Sequence, residues 1–168
     1  KLGKDEGRLV VDKMPHNFQY IGVIHKALPE AKIILCEREP LDNCFSIFKL
    51  SFADHQDYAH ELTALGQHYS LYEGMMNKWK ELYPDRILDV YYEDTVADIE
   101  AQCVRLVEFL GLAFEPEMLE FYSTERLVRT PSASQVRKPI YKSSVQAWKK
   151  YERHLQPLAE ALGDELRD

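Results

Sequence analysis

The chain reads as an α/β protein with a mostly parallel sheet flanked by helices, and three stretches of its 168 residues carry that reading. In residues 9–28, 31–52 and 86–112 alike, a short apolar segment ends in a polar break and a segment of helical period follows. Strand then helix, repeated along a chain, is what parallel strands joined by helical crossovers leave in a sequence. The expected strands cover 9–13, 32–37 and 86–91. Right-handed crossovers bring their carboxyl ends to one cleft, where ligands of open α/β sheets collect.

The segment 32–37 alternates too little for a half-exposed strand and reads as a buried one, so Arg38 emerges at its carboxyl end. Pro40 suits the first helical position, Asp42 favours the first turn, and Phe45, Ile47, Phe48 and Phe52 supply an apolar face. Ser46 falls within that helix. The guanidinium fork of Arg38 and the hydroxyl of Ser46 can then converge on one phosphate, beside the helix's unpaired amides. A surface ion pair leaves the same short pattern.

Lys13 ends the segment 9–13 ahead of Pro15 and a helix over 18–28, which aims it at the same crevice or leaves it as an exposed strand-end lysine. After 86–91, Ile99, Cys103, Leu106 and Leu110 recur at helical spacing until Gly111 ends the helix, most simply as core packing. Because strand side chains alternate, only one of Tyr91 and Tyr92 can face a ligand there. Residues 130–148 are poor in bulky aliphatics and rich in small hydroxylic and basic residues, a loop that a bound group must order. Between Arg126 and Arg153, eight Lys or Arg stand against the single Glu152, whereas the other 140 residues hold 13 basic and 27 acidic groups. One basic patch on an acidic chain suits a small polyanion in a cleft and argues against a nucleic-acid groove or an anionic membrane surface. A solvated basic face is the alternative.

In this order, the motifs resemble sulfotransferases that use 3'-phosphoadenosine-5'-phosphosulfate. The resemblance runs over about residues 10–151 and looks closest to tyrosylprotein sulfotransferases and their bacterial relatives with helical repeats. It implies the P-loop-NTPase-like sulfotransferase fold and sulfuryl transfer from that nucleotide donor to a hydroxyl or amine acceptor on a protein, carbohydrate or small molecule. In that family a strand-ending Arg and a helical Ser eight positions later bind the 3'-phosphate, matching Arg38 and Ser46. Arg137 and Lys138 resemble an Arg-Lys pair aimed at the same phosphate. Tyr92, directly before Glu93, matches a Tyr that contacts adenine. Lys13 matches a Lys that puts positive charge on the oxygen bridging sulfur and leaving phosphate, where charge grows in the transition state. Ser132 matches a Ser that donates to the transferring group, and Gln135, Val136 and Lys138-Pro139 also agree, with Gln135 counted among the nucleotide contacts. The family's second basic residue on the helix falls at Leu50, and its Lys before the final loop Trp falls at Ala147; Lys49 and Lys149 are near but not aligned.

Members of this family also need a strand and a Gly- and Ser/Thr-rich loop whose amides hold the 5'-phosphosulfate. The seven glycines here are scattered, no GxxxxGK occurs, and a credible strand starts only near Leu9. Residues 1–168 are therefore expected to be one partial domain, the carboxyl-terminal two thirds or so of a catalytic domain. The remainder is expected to supply the phosphosulfate loop and the acceptor's general base, and the chain alone to bind nucleotide weakly and turn over little. A non-catalytic nucleotide-binding or protein-interaction module of the same fold is the alternative. A P-loop kinase or hydrolase ranks below both, because no strand-end carboxylate with a matching phosphate loop offers Mg²⁺ a site.

At 45% hydrophobic the chain can bury a core. No apolar run reaches the roughly 18 residues of a membrane span, and no signal peptide precedes Leu9. Cys36, Cys44 and Cys103 lie in predicted strand or helices without paired or metal-ligand spacing, so buried thiols in a reducing compartment, the cytoplasm, are expected, with no disulfide and no metal. A helix over 60–83 carries Leu62, Leu65, Tyr69, Tyr72, Met76 and Trp79 as a core stripe. In relatives such helices border the acceptor cleft. His16 is read as facing solvent.

Overall fold

Two parallel strands, β1 (Ile33–Glu37) and β2 (Ile87–Tyr91), form the sheet of a computed structural model that describes residues 9–50, 57–123 and 137–163. The register runs from Ile33 opposite Ile87 to Glu37 opposite Tyr91, so both strands end level. A 3-10 turn at Pro15–Tyr20 leads into α1 (Ile21–Ala27) ahead of β1. α2 (Pro40–Lys49) and α3 (Leu62–Leu82) connect the strands, and α4 (Tyr92–Ala97) and α5 (Ile99–Leu110) follow β2. A 3-10 segment, Ala147–His154, then leads into α6 (Gln156–Leu162).

Local chemistry accounts for several boundaries. Pro40 starts α2, where its missing N–H costs nothing. Asp98 caps α5 by accepting the Ala101 N–H at 3.0 Å, and Gly111 ends it in the left-handed conformation, φ 72°. The stripe on α3 is the core stripe expected of it: Leu65, Tyr69 and Met76 are buried. The main core joins Leu41, Cys44 and Phe45 of α2, Leu65 and Tyr69 of α3, and Leu155, Leu158 and Ala159 at α6, with Trp148 packed against it. Thus α3 finds its partners within the chain.

Gly66 lets α6 approach α3. A Cβ at Gly66 would stand 2.6 Å from the Ala161 Cβ and 3.1 Å from the Leu158 carbonyl oxygen, whereas one at Gly74 meets nothing within 4 Å. The same substitution is thus expected to act with opposite sign at two positions of one helix. Gly74→Ala should stabilise by about 0.5–1 kcal/mol through helix propensity. Gly66→Ala should be a net loss, because overpacking of roughly 1–3 kcal/mol outweighs that gain. Urea denaturation of the two variants checks this, and equal shifts would mean that α6 does not lie on Gly66.

Four expectations are corrected. Residues 9–13 form no strand: Val10 and Val11 are 84% and 87% exposed, and a segment without a ladder partner among the described residues has nothing to fix it as one. β1 is half-exposed instead of buried, alternating along its length with Ile34 39% exposed, because among the described residues its neighbour is β2 alone. Cys36, on that same face, is exposed, while Cys44 is fully buried and its thiol is pushed up to about 12 by burial and the nearby Glu39. The helix expected over 18–28 is a 3-10 turn as far as Tyr20 before α1 begins, with the Trp79 indole N–H donating to the Phe18 carbonyl at 2.8 Å.

Candidate functional site at the strand ends

Level strand ends bring the next residues of each strand together. Arg38 follows β1 and Tyr92 follows β2, and the Arg38 guanidinium sits 4.9 Å from the centre of the Tyr92 ring. Arg38 Nη2 donates to the Ser144 carbonyl at 2.5 Å and lies 3.7 Å from Asp42 Oδ2. Its Nε is buried and has no hydrogen-bond partner among the described residues. An unpaired buried guanidinium N–H is costly, and an oxyanion is the group that would satisfy it. Tyr92 opens α4 instead of ending the strand, so it turns toward Arg38, while Tyr91 stays at the strand end and lines the crevice alongside.

The amides of α2, expected to be unpaired, are not. Glu39 caps the helix with its own carboxylate, accepting from the Leu41 N–H at 3.1 Å and the Asp42 N–H at 2.6 Å. An acidic side chain before Pro-Leu-Asp is the local signal that could have shown this. Burial raises the Glu39 carboxyl above the ordinary range against the pull of those two bonds. Glu93 in turn accepts from the Glu39 N–H at 3.1 Å. The helix end is therefore closed by the protein's own carboxylate.

The crevice beside Arg38, about 360 Å³, is acidic: Glu37, Glu39, Glu73 and Glu93 line it with Tyr69 and Lys80. Lys80 pairs with Glu37 at 3.3 Å and Asp89 at 2.9 Å. Burial lowers its pKa, but the two carboxylates outweigh that and the net shift is upward, so it stays charged. The Tyr72 hydroxyl donates to Glu37 at 3.4 Å, and burial, then Glu37, push Tyr69 and Tyr72 upward, leaving both phenols neutral. Arg38 and Lys80 are thus the two cations among the acidic groups that line this crevice.

The remaining expected site residues are placed unevenly. Ser46 is half-buried, one helical turn beyond Asp42 on the same face of α2. Lys13 is exposed in an irregular segment; it lies close enough to Cys36 that its charge opposes the rise that burial and Glu37 impose on that thiol. Arg137 and Lys138 are exposed. Ser132 and Gln135 lie outside the described residues. Lys49 and Lys149, the two offset lysines, lie over the rings of Phe45 and Trp148, 4.3 and 6.0 Å from their centres.

Asp42 is the residue that sequence reasoning underrated. Read only as a first-turn preference, it is 1% exposed, the one buried charged side chain among the described residues. It accepts from the Gln146 N–H at 2.5 Å and the Trp148 N–H at 2.9 Å. No local pattern could reveal partners more than 100 positions away.

A parallel pair of strands flanked by helices, with a strand-end Arg over the Tyr92 ring at its carboxyl edge, defines an α/β protein. The chain belongs to the sulfotransferase family, whose model matches residues 3–116. A relative from Aquifex aeolicus (strain VF5), carrying the name "Uncharacterized protein", is 38% identical over 165 residues, which take in 96% of this chain and 22% of the relative. Among solved structures, the "Sulfotransferase Domain from the Curacin Biosynthetic Pathway" aligns at a TM-score of 0.66 and 24% identity, over 96% of this chain and 65% of that one, a likeness of fold. The chain spans less than two thirds of the length of either. No described helix is long and apolar enough to cross a membrane, and no group of three or more metal-ligating side chains occurs among the described residues.

Proposed function

We propose that this chain binds the 3'-phosphate end of 3'-phosphoadenosine-5'-phosphosulfate and serves sulfuryl transfer from that donor to a hydroxyl or amine acceptor. The observation that carries the reading is the buried, unbonded Nε of Arg38 beside the Tyr92 ring. In this reading Arg38 takes the 3'-phosphate with help from Ser46, Arg137 and Lys138, Tyr92 meets the adenine, and Gln135 adds a nucleotide contact. The donor supplies the electrophilic sulfuryl group, and Lys13 with Ser132 stabilise the leaving oxygen. Residues 1–168 act as one domain contributing the 3'-phosphate side of the donor site. The acceptor enters by the acidic crevice that Arg38 helps to line. The three cysteines, without paired spacing in the sequence, fit a reducing compartment such as the cytoplasm.

Calorimetric titration with adenosine 3',5'-bisphosphate and adenosine 5'-monophosphate, in EDTA so that no metal contributes, tests this. The bisphosphate is expected to bind and the monophosphate to bind far more weakly. Equal binding of the two, or no binding of the bisphosphate, would reject the assignment.

A further inference from the structure

The buried carboxylate of Asp42 has no task in the helix that carries it. Glu39 already caps the first-turn amides of α2, and the Asp42 side chain instead reaches residues 104 and 106 positions away, at Gln146 and Trp148. Taking a carboxylate out of water is tolerated only where donors replace its hydration. Two backbone amides of the basic segment are those donors, and the Arg38 guanidinium, 3.7 Å from Oδ2, adds the opposite charge.

Gln146 is held at φ 56°, the sole non-glycine residue with positive φ among the described residues. A left-handed conformation costs a side-chain-bearing residue on the order of 1–2 kcal/mol and persists where its surroundings hold it. Here the holding contact is its 2.5 Å bond to Asp42. Two residues earlier, the Ser144 carbonyl accepts from Arg38 Nη2. Arg38, Asp42 and residues 144–148 therefore close a ring, and Trp148 anchors it to the core. Within that ring the Nη2 of Arg38 is engaged and Nε is left free.

Resting on the nucleotide reading above, we propose that Asp42 is the positioning residue of the 3'-phosphate site. It touches no ligand, but locks residues 144–148 onto α2 and so sets the orientation in which Arg38 presents its free N–H. The test measures adenosine 3',5'-bisphosphate affinity in the wild type, Asp42→Asn, Arg38→Ala and the double variant, together with amide hydrogen exchange at Gln146 and Trp148. Asparagine keeps the shape but turns an N–H₂ toward an amide donor. Asp42→Asn is expected to speed exchange at both amides and to weaken binding about tenfold or more. In the Arg38→Ala background it should add little, because the residue through which it acts is gone. Equal losses in both backgrounds would indicate general loosening of the fold and overturn the proposal, as would unchanged affinity in Asp42→Asn. A wild type that does not distinguish bisphosphate from monophosphate rejects the nucleotide reading itself, a result unlike either of those. Should Asp42→Asn fail to fold, Asp42→Ser keeps one acceptor oxygen for the two amides without the buried charge and is judged by the same outcomes.

Discussion

Arg38→Ala is expected to weaken adenosine 3',5'-bisphosphate binding by about 10- to 100-fold, the range that follows from losing hydrogen bonds to a charged group. Affinity for adenosine 5'-monophosphate should change little, since that ligand lacks the phosphate Arg38 is read to hold. The fold should survive. Asp42, though it loses the guanidinium at 3.7 Å, keeps both of its backbone amide donors and is not left as an uncompensated buried charge. Arg38→Lys should fall between the two, because an ammonium keeps the charge and gives up the planar fork. Calorimetry with both nucleotides and a melting curve for each variant provide the check. Equal loss for the two nucleotides would place the effect outside the 3'-phosphate, and no loss would remove Arg38 from the site.

Leu158→Ala is expected to lower stability by about 2–5 kcal/mol. Leu158 is 0% exposed and packs where α2, α3 and α6 meet, among Leu41, Phe45, Leu65 and Tyr69. The close contact at Gly66 restricts how far α6 can move inward to fill the void, so the upper half of the range is the better expectation. Against a total of about 5–15 kcal/mol for an ordinary domain, that is a large share. Urea unfolding should show a lower midpoint with an unchanged slope. A loss below about 1 kcal/mol would mean that α6 is not seated between α2 and α3 in solution.

Much of the architecture was legible because it rests on local chemistry. Pro40 at the start of α2, Gly111 in the left-handed turn that ends α5, and the alternating steps of three and four that put Leu65, Tyr69 and Met76 inside all follow from the near neighbourhood of each residue. Arg38 at the end of β1 was legible for the same reason. Errors came where a local pattern needed a distant partner. The apolar run at Leu9–Val11 looks like a strand, yet a strand exists only when another pairs with it. The buried look of residues 32–37 depended on cover for both sheet faces, which Ile34 and Cys36 do not receive among the described residues.

The site divides along the same line. By itself, the sequence determined which residues are proposed to bear the chemistry, a strand-end Arg followed by a helix with Ser46, a Tyr-Glu pair after the next strand, and a concentrated basic segment, along with the family they resemble. Only the tertiary structure decided that Glu39 occupies the α2 amides, that Tyr92 turns onto Arg38, and that Asp42 ties α2 to residues 146 and 148. The physical reason is range. Capping, helical period and turn preference act over a few residues, whereas the orientation of a guanidinium and the burial of a carboxylate depend on groups that only the folded chain brings within hydrogen-bond distance.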